Sequence, residues 1–268
     1  MHRYDHYQHL KIEVEGKLAT VTLNRPEARN AINQRFIHEL RSIWIDLADD
    51  KDVNAVLLTG AGDYFSVGGD VKAMSERPGG DVLEEGEVHD PMVMRRIVNR
   101  ILELDKPIVC AINGDAAGLA CTIALLCDIT VVSEVARIGD PHVRVGLVAG
   151  DGGAAIWPLL VGVNRAKECL MRGTMIRGAD AERIGLVNYS VPKAEVLEKA
   201  RAIAVELATG ATWAIRWTKL SVNKLLKERV NLILETSMAL EQVTFETADH
   251  REATSAFAEK RKPVFIGS

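Results

Sequence analysis

Two glycine-rich loops and one histidine–aspartate segment hold the residues whose types and spacing fit chemistry. The first loop, Phe65-Ser66-Val67-Gly68-Gly69-Asp70-Val71-Lys72, follows a predicted strand that ends at Thr59. The second, Asn113-Gly114-Asp115-Ala116-Ala117-Gly118-Leu119-Ala120-Cys121, lies between a predicted strand and a predicted helix. Glycine removes the Cβ that keeps a ligand away from a backbone N–H, and a helix start adds the positive end of its dipole. Two such N–H groups from different loops polarise one carbonyl oxygen, which is an oxyanion hole. Either loop alone is equally a tight turn, and neither carries the nucleotide fingerprints G-x-G-x-x-G or G-K-[ST]. The third segment runs from Pro141-His142 through Gly146-Leu147-Val148-Ala149-Gly150-Asp151-Gly152-Gly153 to Trp157-Pro158. Histidine suits proton transfer near neutral pH, and a carboxylate beside it orients and charges the ring. The other readings are a structural histidine and an aspartate that turns the chain between glycines.

The elements that must position these groups alternate strands with helices. Leu10 to Val14 and Leu18 to Leu23 alternate apolar and polar residues around Glu15-Gly16, which predicts a hairpin closed off by Pro26. From Asn30, the spacing of Ile32, Phe36, Ile37, Leu40, Ile43, Trp44 and Leu47 predicts a helix that stops at Asp49-Asp50-Lys51-Asp52, before a buried strand at Ala55 to Thr59. The order returns with a helix from Met92 to Leu104 and a strand from Ile108 to Ile112, and again with a helix from Thr122 to Leu126 and a strand from Ile129 to Ser133. This predicts α/β layering with strand ends opening into loops. The acidic tract Ser75 to Asp90, with Pro78, Gly79 and Gly80, is expected to be a mobile loop or lid. Past Pro192 the pattern is helical, over Ala194 to Leu207, Thr212 to Leu226 and Val230 to Lys260, so residues 1–193 are expected as the core and 194–268 as a helical oligomerisation region.

The chain of 268 residues, 47% hydrophobic and 26% charged, is long enough to bury a sizeable core. A net charge of -4 argues against nucleic acid or an anionic membrane as partner, so an anionic ligand must meet a local patch such as Lys260-Arg261-Lys262. The four cysteines, Cys110, Cys121, Cys127 and Cys169, sit in apolar stretches without metal or disulfide spacing. Met1 to His9 has no apolar core of a signal peptide, and no run approaches the length of a membrane span. A cytoplasmic protein with reduced cysteines and no metal is expected.

In their order and flanks, the two loops resemble the crotonase (enoyl-CoA hydratase/isomerase) superfamily. The resemblance extends to Leu23-Asn24-Arg25-Pro26-Glu27-Ala28-Arg29-Asn30-Ala31, to Gly146 through Gly153, and to the ending Phe257-Ala258-Glu259-Lys260-Arg261-Lys262-Pro263-Val264-Phe265. It implies an α/β fold that is a spiral of ββα units, a C-terminal helical trimerisation region, and a homotrimer or a hexamer. It implies an acyl-CoA substrate, with coenzyme A entering as part of that substrate and no other cofactor, and an enolate held by the N–H groups of Gly69 and Leu119. Gly68 and Asp70 fall in the substrate-binding loop, Arg29 and Ala31 along the CoA, and Lys262 in the tail that reaches its phosphates. Arg29 and Lys262 read equally well as solvated surface charges.

The chain departs from the family at its acids. The two glutamates of a typical hydratase fall on Thr122 and His142, and a proline of the glycine segment on Ala149. Threonine is no general acid or base near neutral pH, so His142 and Asp151 are the expected catalytic pair. The arrangement P-H-x-x-x-G-[LI]-V-x-G-D-G is also similar to the β-diketone hydrolase branch, typified by oxocamphor hydrolase, which cleaves a C–C bond without CoA. That branch's further histidine falls on Leu119, and its pocket tryptophan and histidine on Ile32 and Ile37. Acyl-CoA chemistry of the hydratase/isomerase type therefore ranks first, C–C hydrolysis second, and a non-catalytic acyl-CoA binder third.

Overall fold

The computed structural model describes residues 3–70 and 92–268. The expected acidic lid, and Val71 and Lys72 of the first loop, lie outside the described residues.

The expected hairpin forms as β1 (Leu10–Glu15) and β2 (Leu18–Leu23), joined through Gly16 at φ 58°. Three predicted strands follow as β3 (Ala55–Gly60), β4 (Ile108–Ile112) and β6 (Ile129–Ser133), and a short β9 (Tyr189–Val191) closes the sheet. The six-stranded order is β1-β2-β3-β4-β6-β9, antiparallel at β1 and parallel elsewhere. Strands of a parallel sheet are covered on both faces and read as continuous apolar runs, as β3 and β4 do. Val56, Leu58 and Cys110 face a large core with helix α1 (Gln34–Asp49) and helix α2 (Val93–Glu103). The alternate residues Ala55, Leu57, Val109 and Ala111 face Val196, Ala200, Ala204 and Ala208. Those four small residues, four apart on one helix stripe, let that helix lie close on the sheet, so the C-terminal region begins as part of the core's covering layer.

A second, three-stranded sheet joins β5 (Ala116–Ala117), β7 (Arg137–Gly139) and β8 (Ile176–Arg177). Helix α3 (Leu119–Leu125), helix α4 (Gly153–Val161), helix α5 (Val163–Arg172) and helix α6 (Gly178–Arg183) complete the body. Helix α7 (Val196–Thr209), helix α8 (Thr212–Phe245) and helix α9 (Ala248–Ala258) end it.

The larger departures from expectation fall at three helices. Helix α1 begins at Gln34 rather than Asn30, because Arg29 and Asn30 take left-handed φ of 54° and 55° and the Asn33 side chain caps Phe36 N at 3.0 Å. Helix α3 begins at Leu119 rather than Thr122, with Gly118 as its cap. Helix α8 is continuous where a break at Leu226 to Val230 was expected: Lys227-Glu228-Arg229 are polar yet strong helix formers. The chain turns instead at Thr247, whose side chain accepts from His250 N.

Buried polar contacts fix α8 to the body. Lys219 Nζ pairs with Asp128 Oδ2 at 2.7 Å and donates to Lys106 O at 2.9 Å, and Asn223 Nδ2 donates to Leu102 O. Further along, Ser237 Oγ donates to Gly150 O and Thr244 Oγ1 accepts from Val148 N. The long helix thus holds the glycine segment that carries Asp151.

Candidate active site

The two glycine loops run side by side. Ser66 and Ala116 form a parallel bridge, in which Ser66 N donates to Asp115 O at 3.1 Å and Ala117 N to Ser66 O at 3.0 Å. Three residues after each bridged residue come Gly69 and Leu119. A Cβ at Gly68 would stand 2.5 Å from Ala117 O, so a side chain there would push the loops apart. Ile32 N donates to Gly68 O and Asp70 N donates to Ile32 O, which leaves Gly69's own N–H turned to the opposite side of that pairing. Leu119 is the first residue of α3, where an N–H has no acceptor within its helix.

The first loop is braced from beneath. Asn30 is buried, and its Nδ2 donates to Ala61 O, Tyr64 O and Phe65 O, while Ser66 Oγ donates to Asn30 O at 2.7 Å. Asp70 pairs with Arg25 Nη1 at 2.8 Å, and that guanidinium also donates to Ala31 O. Ala31 is buried, whereas Arg29 is exposed with its guanidinium 5.2 Å from the centroid of the Tyr64 ring. Lys262 lies far along the chain on an exposed tail in which Arg261 is taken by Glu252 and Glu259; Lys260 and Lys262 have no carboxylate partner among the described residues.

His142 and Asp151 are brought together as expected, within a larger cluster. His142 opens a short 3-10 turn after β7, and Asp151 ends the glycine segment before α4. The imidazole lies between carboxylates: Nδ1 contacts Asp140 Oδ1, and Nε2 faces Asp151 Oδ2 at 3.5 Å and Glu241 Oε1 at 3.6 Å. Thr122 Oγ1 donates to Asp151 Oδ1 at 3.1 Å. Glycines make the room. A Cβ at Gly118 would be 3.3 Å from His142 Cε1, one at Gly153 2.1 Å from Asp140 Oδ2, and one at Gly150 2.4 Å from Glu241 Oε2. One donor atom from each of Asp140, His142 and Asp151 lies within 4.8 Å of the others, and in this arrangement the imidazole turns Nδ1 to Asp140 and Nε2 to Asp151.

Sequence reasoning missed Asp140, Glu241 and the part played by Thr122. Asp140 stands two residues before His142, a spacing that could have pointed to it. Glu241 sits on α8, which reads only as an amphipathic helix, and nothing local to it signals a site.

The charges follow from burial and neighbours. Burial alone would lower the His142 pKa, but Asp151, Asp140 and Glu241 push it up to about 10. Burial raises Asp151 to about 6 against the pull of His142. Burial, then the Asp151 charge, raises Glu241 to about 8. Near neutral pH the cluster therefore holds an imidazolium, an Asp151 carboxylate and a largely protonated Glu241. It can accept one proton and release another within one cluster.

A family model described as Enoyl-CoA hydratase/isomerase matches residues 13–268. The Short-chain-enoyl-CoA hydratase of Clostridium acetobutylicum is 35% identical over 256 residues, covering 94% of this chain and 95% of that protein. The Crotonyl-CoA hydratase of Syntrophomonas wolfei is 32% identical over 261 residues, covering 97% and 98%. Among solved structures, an enoyl-CoA hydratase/isomerase from Mycobacterium paratuberculosis superposes with a TM-score of 0.85 at 33% identity, covering 94% of this chain and 99% of that one. An enoyl-CoA hydratase/isomerase from Pseudoalteromonas atlantica gives 0.87 at 28% identity, covering 97% and 100%. The β-diketone hydrolase expectation finds no support among these relatives.

Proposed function

The chain belongs to the enoyl-CoA hydratase/isomerase family, and from that premise we propose that it is an enoyl-CoA hydro-lyase whose acid–base set is His142, Asp151 and Glu241. The acyl-CoA thioester carbonyl oxygen lies between the N–H groups of Gly69 and Leu119, which stabilise the enolate formed when water adds to, or leaves, the neighbouring double bond. Asp151 accepts the proton from water, and the imidazolium of His142 relays a proton to the α-carbon. Glu241 keeps a further proton on the Nε2 side of the ring. One observation carries this reading: the His142 ring is seated against Gly118, the residue before Leu119, so the proton carrier borders the carbonyl-binding N–H.

The binding residues follow. Gly68 and Asp70 shape the first loop, Ala31 lines the CoA path and Arg29 borders it, and Lys262 on the basic tail meets phosphate. The helical region 194–268 assembles the chain as a homotrimer or a hexamer. In support, α8 exposes Trp213, Trp217, Leu225, Leu232 and Val243, more apolar surface than a helix facing only its own core presents. Among the described residues no helix is long and apolar enough to cross a membrane. Four free, buried cysteines suit the reducing cytoplasm.

The test is mass-spectrometric turnover over a panel of enoyl-CoAs and cyclic β-diketones, with Gly69→Pro as the control. Addition of one water to an enoyl-CoA is expected, and Gly69→Pro should lower the rate by roughly two to three orders of magnitude while far-ultraviolet circular dichroism stays unchanged. Turnover confined to the diketones, or binding of enoyl-CoA without turnover, would overturn the proposal.

A further inference from the structure

Thr122 stands where the family resemblance places a glutamate, and its hydroxyl does not exchange protons as an acid or base near neutral pH. It is nevertheless wholly buried beside the carboxylate that the proposed chemistry uses. Both branches of the side chain are engaged. Oγ1 donates to Asp151 Oδ1 at 3.1 Å, and Cγ2 packs beneath the following residue, where a Cβ on Gly152 would approach it to 2.9 Å. A β-branched side chain is stiff about χ1, so the hydroxyl cannot leave Asp151 without moving the methyl from Gly152. With Oδ1 occupied, Asp151 Oδ2 turns to His142 Nε2 at 3.5 Å, buried and without a hydrogen-bond partner among the described residues.

We infer that Thr122 is a positioning residue, whose hydroxyl fixes the rotation of the Asp151 carboxyl so that Oδ2 is presented to His142 and to the reacting atoms. The inference rests on the proposed proton transfer by Asp151 and His142. The groups facing Asp151 are His142 and Asp140 from the segment after β7, Glu241 from α8, the Cys121 thiol from α3 and the Gly153 N–H at the start of α4. Burial raises the carboxyl, and the Thr122 hydroxyl is among the contacts that oppose it. Removing the hydroxyl should therefore raise the pH at which Asp151 ionises and leave its rotation free.

Thr122→Val keeps the side-chain shape and removes the donor. The expected result on enoyl-CoA is a kcat lower by about tenfold, the loss of one hydrogen bond to a charged group, with KM within about twofold. The acid limb of the kcat profile should move up by about half a pH unit or more. Thr122→Ser should recover most of the rate and return the limb. Asp151→Asn, measured alongside, separates the two ideas. Wild-type turnover in Asp151→Asn would overturn the proton-transfer reading and this inference with it. An inactive Asp151→Asn beside an unchanged kcat and acid limb in Thr122→Val would overturn the positioning role alone. If Thr122→Val fails to give a cooperative thermal melt, Thr122→Ala against Thr122→Ser asks the same question: equal rates would overturn the role, and a slower alanine variant would support it.

Discussion

Replacing Asp151 by asparagine should release the proton that the site holds on His142. Asparagine keeps the shape and can still accept from Thr122, but it removes a charge 3.5 Å from His142 Nε2. At an effective dielectric constant of ~20, a pair of unit charges at that distance is worth about 5 kcal/mol, which corresponds to about 3.5 pH units on the imidazole. Both side chains are largely shielded from solvent, so little of this is screened. His142, pushed up to about 10 in the parent, should then titrate near neutral pH, with Asp140 and Glu241 still opposing the effect of burial. The assay is the pH dependence of the imidazole Cε1 resonances in histidine-labelled protein. Seven histidines contribute, and the His142→Gln spectrum identifies the relevant signal by its loss. In the same samples, either single replacement should lower kcat on enoyl-CoA by about 100-fold or more, and the double replacement should be scarcely worse than the worse single one. A His142 resonance that still titrates near its parent value in Asp151→Asn would refute the claim that these two groups share one proton economy.

Other outcomes test the surroundings. The kcat profile should rise through about 6 as Asp151 ionises and fall through about 8 as Glu241 loses its proton; Glu241→Gln should keep the first limb and abolish the second, and an unchanged profile would remove Glu241 from the chemistry. Stability should fall as pH rises, because all three groups are raised and the folded state holds more protons than the unfolded one: the contributions of Asp151, Glu241 and His142 are lost through about 6, about 8 and about 10, which urea titrations across that range would show. Gly118→Ala must hold φ 53° and set a Cβ 3.3 Å from His142 Cε1, so a stability loss of about 1–3 kcal/mol with a shifted His142 resonance is expected; an unmoved resonance would contradict the seating of the ring. Lys219→Met leaves the partly buried Asp128 without its cation and should cost about 2–3 kcal/mol in urea unfolding, and a loss under about 1 kcal/mol would show that α8 is held by other contacts.

The strands, the glycine loops and the His142–Asp151 pair were legible in the sequence because their signals are local. Period-two and continuous apolar runs mark β1 to β4 and β6, and glycines at Gly68-Gly69 and Gly118 mark places where backbones must approach. Where the first helix starts was not legible. Its apolar spacing begins at Ile32, but the left-handed turn at Arg29 and Asn30 is imposed by carbonyls from the distant segment 61–65, which only the fold brings beneath Asn30. The short strands β7, β8 and β9 also escaped notice, because at two or three residues each they are too short for periodicity to register.

The site divides along the same line. Residue types and order near His142 point to a candidate proton carrier where the resemblance places a glutamate, since that reading depends on side-chain chemistry at neighbouring positions. Whether the imidazole is charged depends on three carboxyl groups that arrive from different elements. Asp140 and Asp151 flank one turn, but Glu241 comes from α8, and its approach requires Gly150 to lack a Cβ and Ser237 to hold that loop. Thr122 shows the same division. Its sequence position and chemistry exclude it as an acid, whereas its work as a donor to Asp151 depends on a contact between residues 29 positions apart, made only when α3 and the glycine segment pack together. Charge and hydrogen bonding act over a few ångströms in a poorly screened interior, so they are set by which segments meet, and chain order alone does not record that.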